Sequence, residues 1–149
     1  MALLERAVEI AARAHAGQVD KAGEPCILHP LRVMLSVSGE LERVVAVLHD
    51  VVEDSSITFD ELLELGIPGE AVDALEALTK RPGESRLEAV ERTVRNPVAR
   101  EVKIADVTDN MDLSRIGEPS EADLERQEQY RAVLDRLLVA RRAGEGENG

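Results

Sequence analysis

The chain predicts an all-α fold, and three observations carry that prediction. Hydrophobic residues make up 44% of the 149 residues and aromatics only 1%, so the core must be assembled from Leu, Val, Ile and Ala, the vocabulary of packed helices. Apolar residues recur at helical spacing. Helix-start signals then punctuate the chain: Thr58 with Glu61 and Ser85 with Glu88 both match the capping box.

Leu3 to His15 reads as the first helix, with Leu4, Val8, Ala11 and Ala12 on one face and Gly17 as its stop. The segment GQVDKAGEPCILHP is too rich in Gly and Pro for regular structure, and long loops in compact domains tend to be functional. A short helix begins at Pro30, and a longer one spans Leu41 to Glu53. Four more start near Thr58, Pro68, Ser85 and Pro97; the two prolines suit first-turn positions, Pro97 behind Asn96. A last helix, opened by Ser120 with Asp123, runs to about Arg142, after which AGEGENG reads as a frayed polar tail. The expected organisation is one domain over residues 1–142 and a polar tail over 143–149, a length sufficient for a single sizeable core.

Charge and cysteine usage narrow the function. A formal net charge of -12 repels nucleic acid and anionic membrane, so neither is an expected partner, and a phosphorylated ligand needs a local cation cluster or a metal ion. Cys26, the single cysteine, excludes an intrachain disulfide. With no signal peptide and no apolar run long enough to span a bilayer, the expected location is cytoplasmic.

The stretch AVLHDVVEDSSIT, from Ala46 to Thr58, sets His49, Asp50, Glu53 and Asp54 into an otherwise apolar helix beside Val47, Leu48, Val51 and Val52. At helical spacing all four crowd one side, and no Lys or Arg lies within a turn of them. Burying unpaired carboxylates is costly. A metal ion answers that need; a solvated acidic helix end is the simpler alternative. Two other segments favour the metal. His29 precedes Pro30 at a loop-to-helix junction, and VKIADVTDN places Asp106 inside an apolar helical run, with Asn110 a turn later and Lys103 as an alternative ionic partner. His29, His49, Asp50 and Asp106 form a mixed imidazole and carboxylate set that suits Mn, Fe, Zn or a similar divalent ion and leaves positions open for water.

The ordered blocks AHAGQVDKAGEPCILHP, VLHDVVEDS, ALTKRPGE and VKIADVTDN resemble the HD-domain phosphohydrolases, and among them the hydrolase domain of RelA/SpoT proteins and the small alarmone hydrolases. The resemblance spans nearly the whole chain. It implies a single HD-domain helical bundle with a metal site between helices. It also implies Mn²⁺, or another divalent transition metal, on His29, His49, Asp50 and Asp106, with Glu53 and Asp54 as the catalytic pair. The activity implied is removal of the 3′-pyrophosphate from ppGpp or pppGpp by attack of water. Lys21 falls on a phosphate-contacting position and Asn110 on a ribose-side position. Arg126 and Tyr130, four apart on the last helix, resemble a pocket-lining pair, and Lys80 adds positive charge. Taken without the resemblance, Arg126 and Lys80 read equally well as surface cations. His15 precedes a Gly-Gln turn and is expected to shape the loop.

The chain departs from this pattern where substrate is bound. Asp20 stands where alarmone hydrolases usually carry arginine, Cys26 where an aromatic is usual, and Arg86 where relatives often have tyrosine. Three readings of function follow: an alarmone pyrophosphohydrolase, an HD hydrolase of another phosphorylated nucleotide such as NADPH or a nucleoside phosphate, and a non-catalytic nucleotide-binding domain. Asp20 favours the second over the first, and the intact ligand set speaks against the third. Oligomeric state is not legible in the sequence.

Overall fold

The computed structural model describes residues 2–148, with side chains from 2 to 145. The described residues are helical with one isolated antiparallel bridge, Val19 to Pro25. The helices are α1 (Leu3–Ala14), α2 (Leu28–Ser36), α3 (Glu40–Leu48), α4 (Val51–Asp54), α5 (Phe59–Glu64), α6 (Gly69–Leu78), α7 (Arg86–Thr93), α8 (Pro97–Asn110) and α9 (Glu121–Asn148).

α3 is the hub of the bundle. Val44, Val45, Ala46, Val47 and Leu48 are all completely buried, so this helix is apolar on every side and must be surrounded. α1, α2, α6 and α8 do so. Burying one Val or Leu side chain is worth about 1.5–3 kcal/mol, which makes five consecutive buried residues a large share of the core. A second apolar cluster of Val90, Val107, Val133 and Leu137 ties α7 and α8 to α9.

The written helix starts are used. Thr58, Ser85 and Asn96 each accept a hydrogen bond from a backbone N–H three residues on. Ser120 and Asp123 make the reciprocal pair, Asp123 N–H to Ser120 Oγ and Ser120 N–H to an Asp123 carboxylate oxygen. Pro97 opens α8, whereas Pro68 stands one place earlier than expected, as the N-cap of α6. The buried face of α1 is Ala7, Ile10 and Ala11; Ala12 is exposed, a third of a turn off that stripe. α9 passes the expected end near Arg142 and continues to Asn148. Arg141 pairs with Glu101 of α8 at 2.7 Å, and Arg100 lies beside Gly144, so α8 holds this last stretch on the bundle.

The helix expected from Leu41 to Glu53 is broken at His49 and Asp50. His49 Nδ1 donates to the Ala46 carbonyl at 2.6 Å, and that carbonyl is the one an unbroken helix would offer to the Asp50 N–H. The imidazole takes the place of the backbone bond, so the chain turns at the site itself.

Candidate metal centre and the cavities around it

Three elements bring four donors together. α2 begins at Leu28, earlier than Pro30, and carries His29 in its first turn; the break after α3 carries His49 and Asp50; the middle of α8 carries Asp106. His29 Nε2 lies 2.8 Å from Asp106 Oδ1 and 3.8 Å from Asp50 Oδ2. His49 Nε2 lies 3.2 Å from each of those same oxygens. His29, His49 and Asp50 each bring a donor atom within 4.8 Å of the others.

These residues fit a divalent cation. Neighbouring donors around an ion at a ligand distance of about 2.1 Å stand roughly 3 Å apart, close to most of the separations here. The more telling observation is His49 Nε2. With Nδ1 spent as donor to Ala46, Nε2 of the neutral ring is a bare lone pair. It is buried beside two carboxylate oxygens yet hydrogen-bonded to neither, an arrangement that a shared cation would complete.

The surrounding groups fix the ligands. Asp106 divides its oxygens: Oδ2 accepts from Lys103 Nζ at 2.9 Å, while Oδ1 faces the imidazoles and accepts from Asn110 Nδ2 at 3.2 Å. The Asp–Lys pair and the ligand set are therefore both present. Burial alone would raise the Asp106 carboxyl, but Lys103 and the imidazoles override it and hold it well below the usual range. The carboxylates that face them outweigh burial at His49 and His29 and raise both imidazoles, so an ion bound at these nitrogens would displace protons.

Two residues beside the donor set, Asp109 and Arg32, are not singled out by the sequence. Asp109 lies one turn beyond Asp106, and its Oδ2 accepts from His29 Nδ1 at 2.6 Å. Arg32, one turn beyond His29, donates to both Asp109 oxygens at 2.8 and 3.1 Å. The signal was the matched spacing, His29 with Arg32 and Asp106 with Asp109, but nothing in the chain says that α2 and α8 face each other.

Glu53 and Asp54 lie on two sides of the donor set. Glu53 lines a cavity of about 300 Å³ with all four candidate ligands, Lys80, Asn110 and Tyr130 among its other walls. The Glu53 carboxylate is held there by the Lys80 N–H at 3.1 Å. Asp54 lines a separate cavity of about 240 Å³ with His15, Cys26 and Arg32. Desolvation is the main cause that raises both carboxyls, Glu53 against the partial relief of the Lys80 N–H.

Lys21, Arg126 and Tyr130 meet in a third cavity of about 200 Å³, to which Asn110 also belongs. Asn110 and Tyr130 are thus shared walls between it and the metal cavity. Lys21 and Arg126 both face Asp123, at 4.0 and 3.7 Å. Asp20 lines the same cavity. Its Oδ1 accepts from the N–H groups of Ala22 and Glu24 at 2.9 and 3.0 Å, which closes the turn of the loop. His15 is buried; its Nδ1 contacts Gln18 Oε1 at 3.0 Å, and Gln18 Nε2 donates to the Asp54 carbonyl at 2.9 Å, tying α1 and the loop to α4. No helix among the described residues is long and apolar enough to cross a membrane.

No protein-family model matches the sequence. A GTP pyrophosphokinase of Myxococcus xanthus is 31% identical over 159 residues, covering 93% of this chain and 21% of that protein. A guanosine-3′,5′-bis(diphosphate) 3′-pyrophosphohydrolase of Vibrio cholerae is 34% identical over 122 residues, covering 72% of this chain and 17% of that protein. The chain thus spans about a fifth of the length of these curated relatives. A solved structure of a metazoan ortholog of SpoT that hydrolyzes ppGpp superposes with a TM-score of 0.74 at 23% identity, covering 94% of this chain and 85% of that one, and shares its fold. Matched to RelA/SpoT-type proteins along most of its length and folded as their HD bundle, the chain belongs to the RelA/SpoT hydrolase-like family of HD domains.

Proposed function

We propose that this protein is a metal-dependent phosphohydrolase that removes pyrophosphate from the 3′ position of a guanosine alarmone, ppGpp or pppGpp. The observation that carries the reading is the buried, unbonded His49 Nε2 set between Asp50 and Asp106. His29, His49, Asp50 and Asp106 would hold the ion, with Mn²⁺ as the first choice because a mixed N and O donor set suits it. Such an ion supplies positive charge at the scissile phosphate and lowers the pKa of a water.

The chain's own groups supply the proton transfers. In the overall step a water oxygen bonds to phosphorus, the bond from phosphorus to the ribose 3′ oxygen breaks, and that oxygen ends with a proton. Attacking and leaving oxygens lie roughly in line on opposite faces of phosphorus, and Glu53 and Asp54 stand on two sides of the donor set. Glu53, oriented by the Lys80 N–H, takes the proton from water; Asp54 delivers one to the leaving oxygen. Their raised carboxyls suit proton transfer nearer neutrality than ordinary carboxylates do. Asn110 and Tyr130 bind the nucleoside between the two cavities they share. Lys21, Lys80 and Arg126 contribute charge around the phosphates.

A second reading, hydrolysis of NADPH or a nucleoside phosphate, is favoured by the Asp20 carboxylate on the wall of the Lys21 cavity. One experiment separates the two. Protein loaded with Mn²⁺ is incubated with ppGpp, pppGpp, NADPH and nucleoside phosphates, and the products are identified. Release of pyrophosphate with GDP or GTP supports the alarmone reading, and turnover confined to another nucleotide overturns it.

A further inference from the structure

The cations around the metal cavity and the Lys21 cavity differ in whether they are already neutralised. In the cavity of Lys21 and Arg126 each cation has a carboxylate: Lys21 and Arg126 face Asp123, and Arg115 lies 3.3 Å from Asp112 and 3.5 Å from Asp109. Asp20 adds a further negative charge to that wall. In the metal cavity Lys103 is paired with Asp106, but Lys80 and Arg86 have no ionic partner among the described residues.

Arg86 is nonetheless held in place. Its guanidinium lies 5.1 Å from the centre of the Tyr130 ring, and Nη1 donates to Gln129 Oε1. Stacking fixes the guanidinium plane, and a single bond to Gln129 leaves most of its five N–H donors free. Lys80 and Arg86 also line the groove that continues outward between α7 and α9, where Glu125 and Glu128 stand on the α9 wall without an ion pair to either cation. A fixed, unneutralised guanidinium and an ammonium at the mouth of a cavity form a receptor for a phosphoryl group.

We infer that Lys80 and Arg86 form a phosphate subsite at the outer end of the metal cavity, and that it takes the 5′-phosphoryl end of the nucleotide while the 3′ end meets the donor set. The inference rests on the proposed function for the identity of the nucleotide. It directs the second phosphate of the substrate toward α7, while Lys21 and Arg126 act from the other side, where Asp20, Asp112 and Asp123 offset part of their charge. Arg86 is then the specificity-determining residue for nucleotides phosphorylated at both ends.

The test compares the Mn²⁺-loaded wild type with Arg86→Ala, Arg86→Lys and Arg131→Ala, the last removing an equal charge from an exposed position on α9. Substrates are guanosine 3′,5′-bis(diphosphate) and guanosine 3′-diphosphate, which lacks the 5′ group. Arg86→Ala should raise KM for the first by roughly tenfold or more, the loss expected for a charge-assisted contact, with a much smaller effect on kcat. KM for the second should change by less than about twofold. Arg86→Lys should fall between, and Arg131→Ala should resemble wild type. Equal effects on both substrates, or an effect no larger than that of Arg131→Ala, would overturn the subsite. Titration calorimetry with guanosine 5′-diphosphate needs no turnover and so keeps the two ideas apart. If neither substrate is cleaved, the proposed function fails, and the subsite then stands on weaker binding of this probe by Arg86→Ala and falls on unchanged binding.

Discussion

His29 Nδ1 donates to Asp109 Oδ2 at 2.6 Å, on the side of the ring turned away from Asp106. Asp109 accepts and cannot donate, so Nδ1 keeps its proton and Nε2 is the nitrogen that can give its lone pair to an ion. Arg32 and burial act on Asp109 in opposite directions, and the hydrogen bonds from Arg32 and His29 win, holding its carboxyl below the usual range. Partners of this kind typically govern metal affinity by about 10–100-fold. Asp109→Asn should weaken Mn²⁺ binding by that order in a calorimetric titration; unchanged affinity would mean that packing alone orients His29.

Metal binding should stabilise the fold. A ligand held only by the native state adds about 2.7 kcal/mol when present at 100 times its Kd. Saturating Mn²⁺ should raise Tm, a chelator should reverse the rise, and His49→Ala should abolish the response.

Glu53→Gln preserves shape and the contact with the Lys80 N–H but removes the proton acceptor. Turnover should fall by about 10²–10⁴-fold with metal content unchanged by elemental analysis. Because desolvation raises the Glu53 carboxyl, the wild-type rate should climb with pH through a value above that of an ordinary glutamate. The variant should lose that limb. Loss of metal in the variant would instead make Glu53 a ligand.

Asp20 has two separable roles, one as a charge on the cavity wall and one as acceptor for Ala22 and Glu24. Asp20→Asn retains an acceptor oxygen and removes the charge, so KM for a phosphorylated nucleotide should drop a few-fold with Tm nearly constant. Asp20→Ala should lose the turn as well, at roughly 1 kcal/mol per hydrogen bond. Thermal melts and steady-state kinetics of the two variants distinguish these roles.

The loop from Thr79 to Ser85 is fastened by Arg92, which pairs with Glu84 and donates to the Thr79 carbonyl at 2.6 Å. The hydrogen bond from Arg92 is the main cause that lowers the Glu84 carboxyl from 4.5 to about 2. A depressed carboxyl stabilises the fold above its unfolded pKa, and that contribution is lost as pH falls through the folded value. Glu84→Gln should therefore lower Tm at neutral pH, with the gap to wild type closing as pH falls from about 4.5, the ordinary value, to about 2. A gap that persists unchanged across this range would assign the loss to something other than the ion pair.

Local signals in the chain match the structure where the physics is local. The low aromatic content, the apolar spacing, and the caps at Thr58, Ser85, Asn96 and Ser120 each depend on neighbours within a turn or two. The setting of Asp50 and Asp106 in apolar helical runs is legible in the same way, because each run lies within one segment. The break at His49 was not legible. It depends on which rotamer the imidazole adopts, and packing against α2 and α8 sets that choice.

By itself, then, the sequence determined an all-helical chain with two histidines and two carboxylates set into apolar helical runs. Tertiary structure alone decided that Asp109 orients His29, that Glu53 and Asp54 face different cavities, and that, among the described residues, Lys80 and Arg86 form no ion pair while Lys21 and Arg126 do. The physical reason is range. Helix propensity and capping act over a few residues, whereas the pairing of a charge depends on which helix arrives opposite it, and α2 meets α8 across about 77 residues of intervening chain.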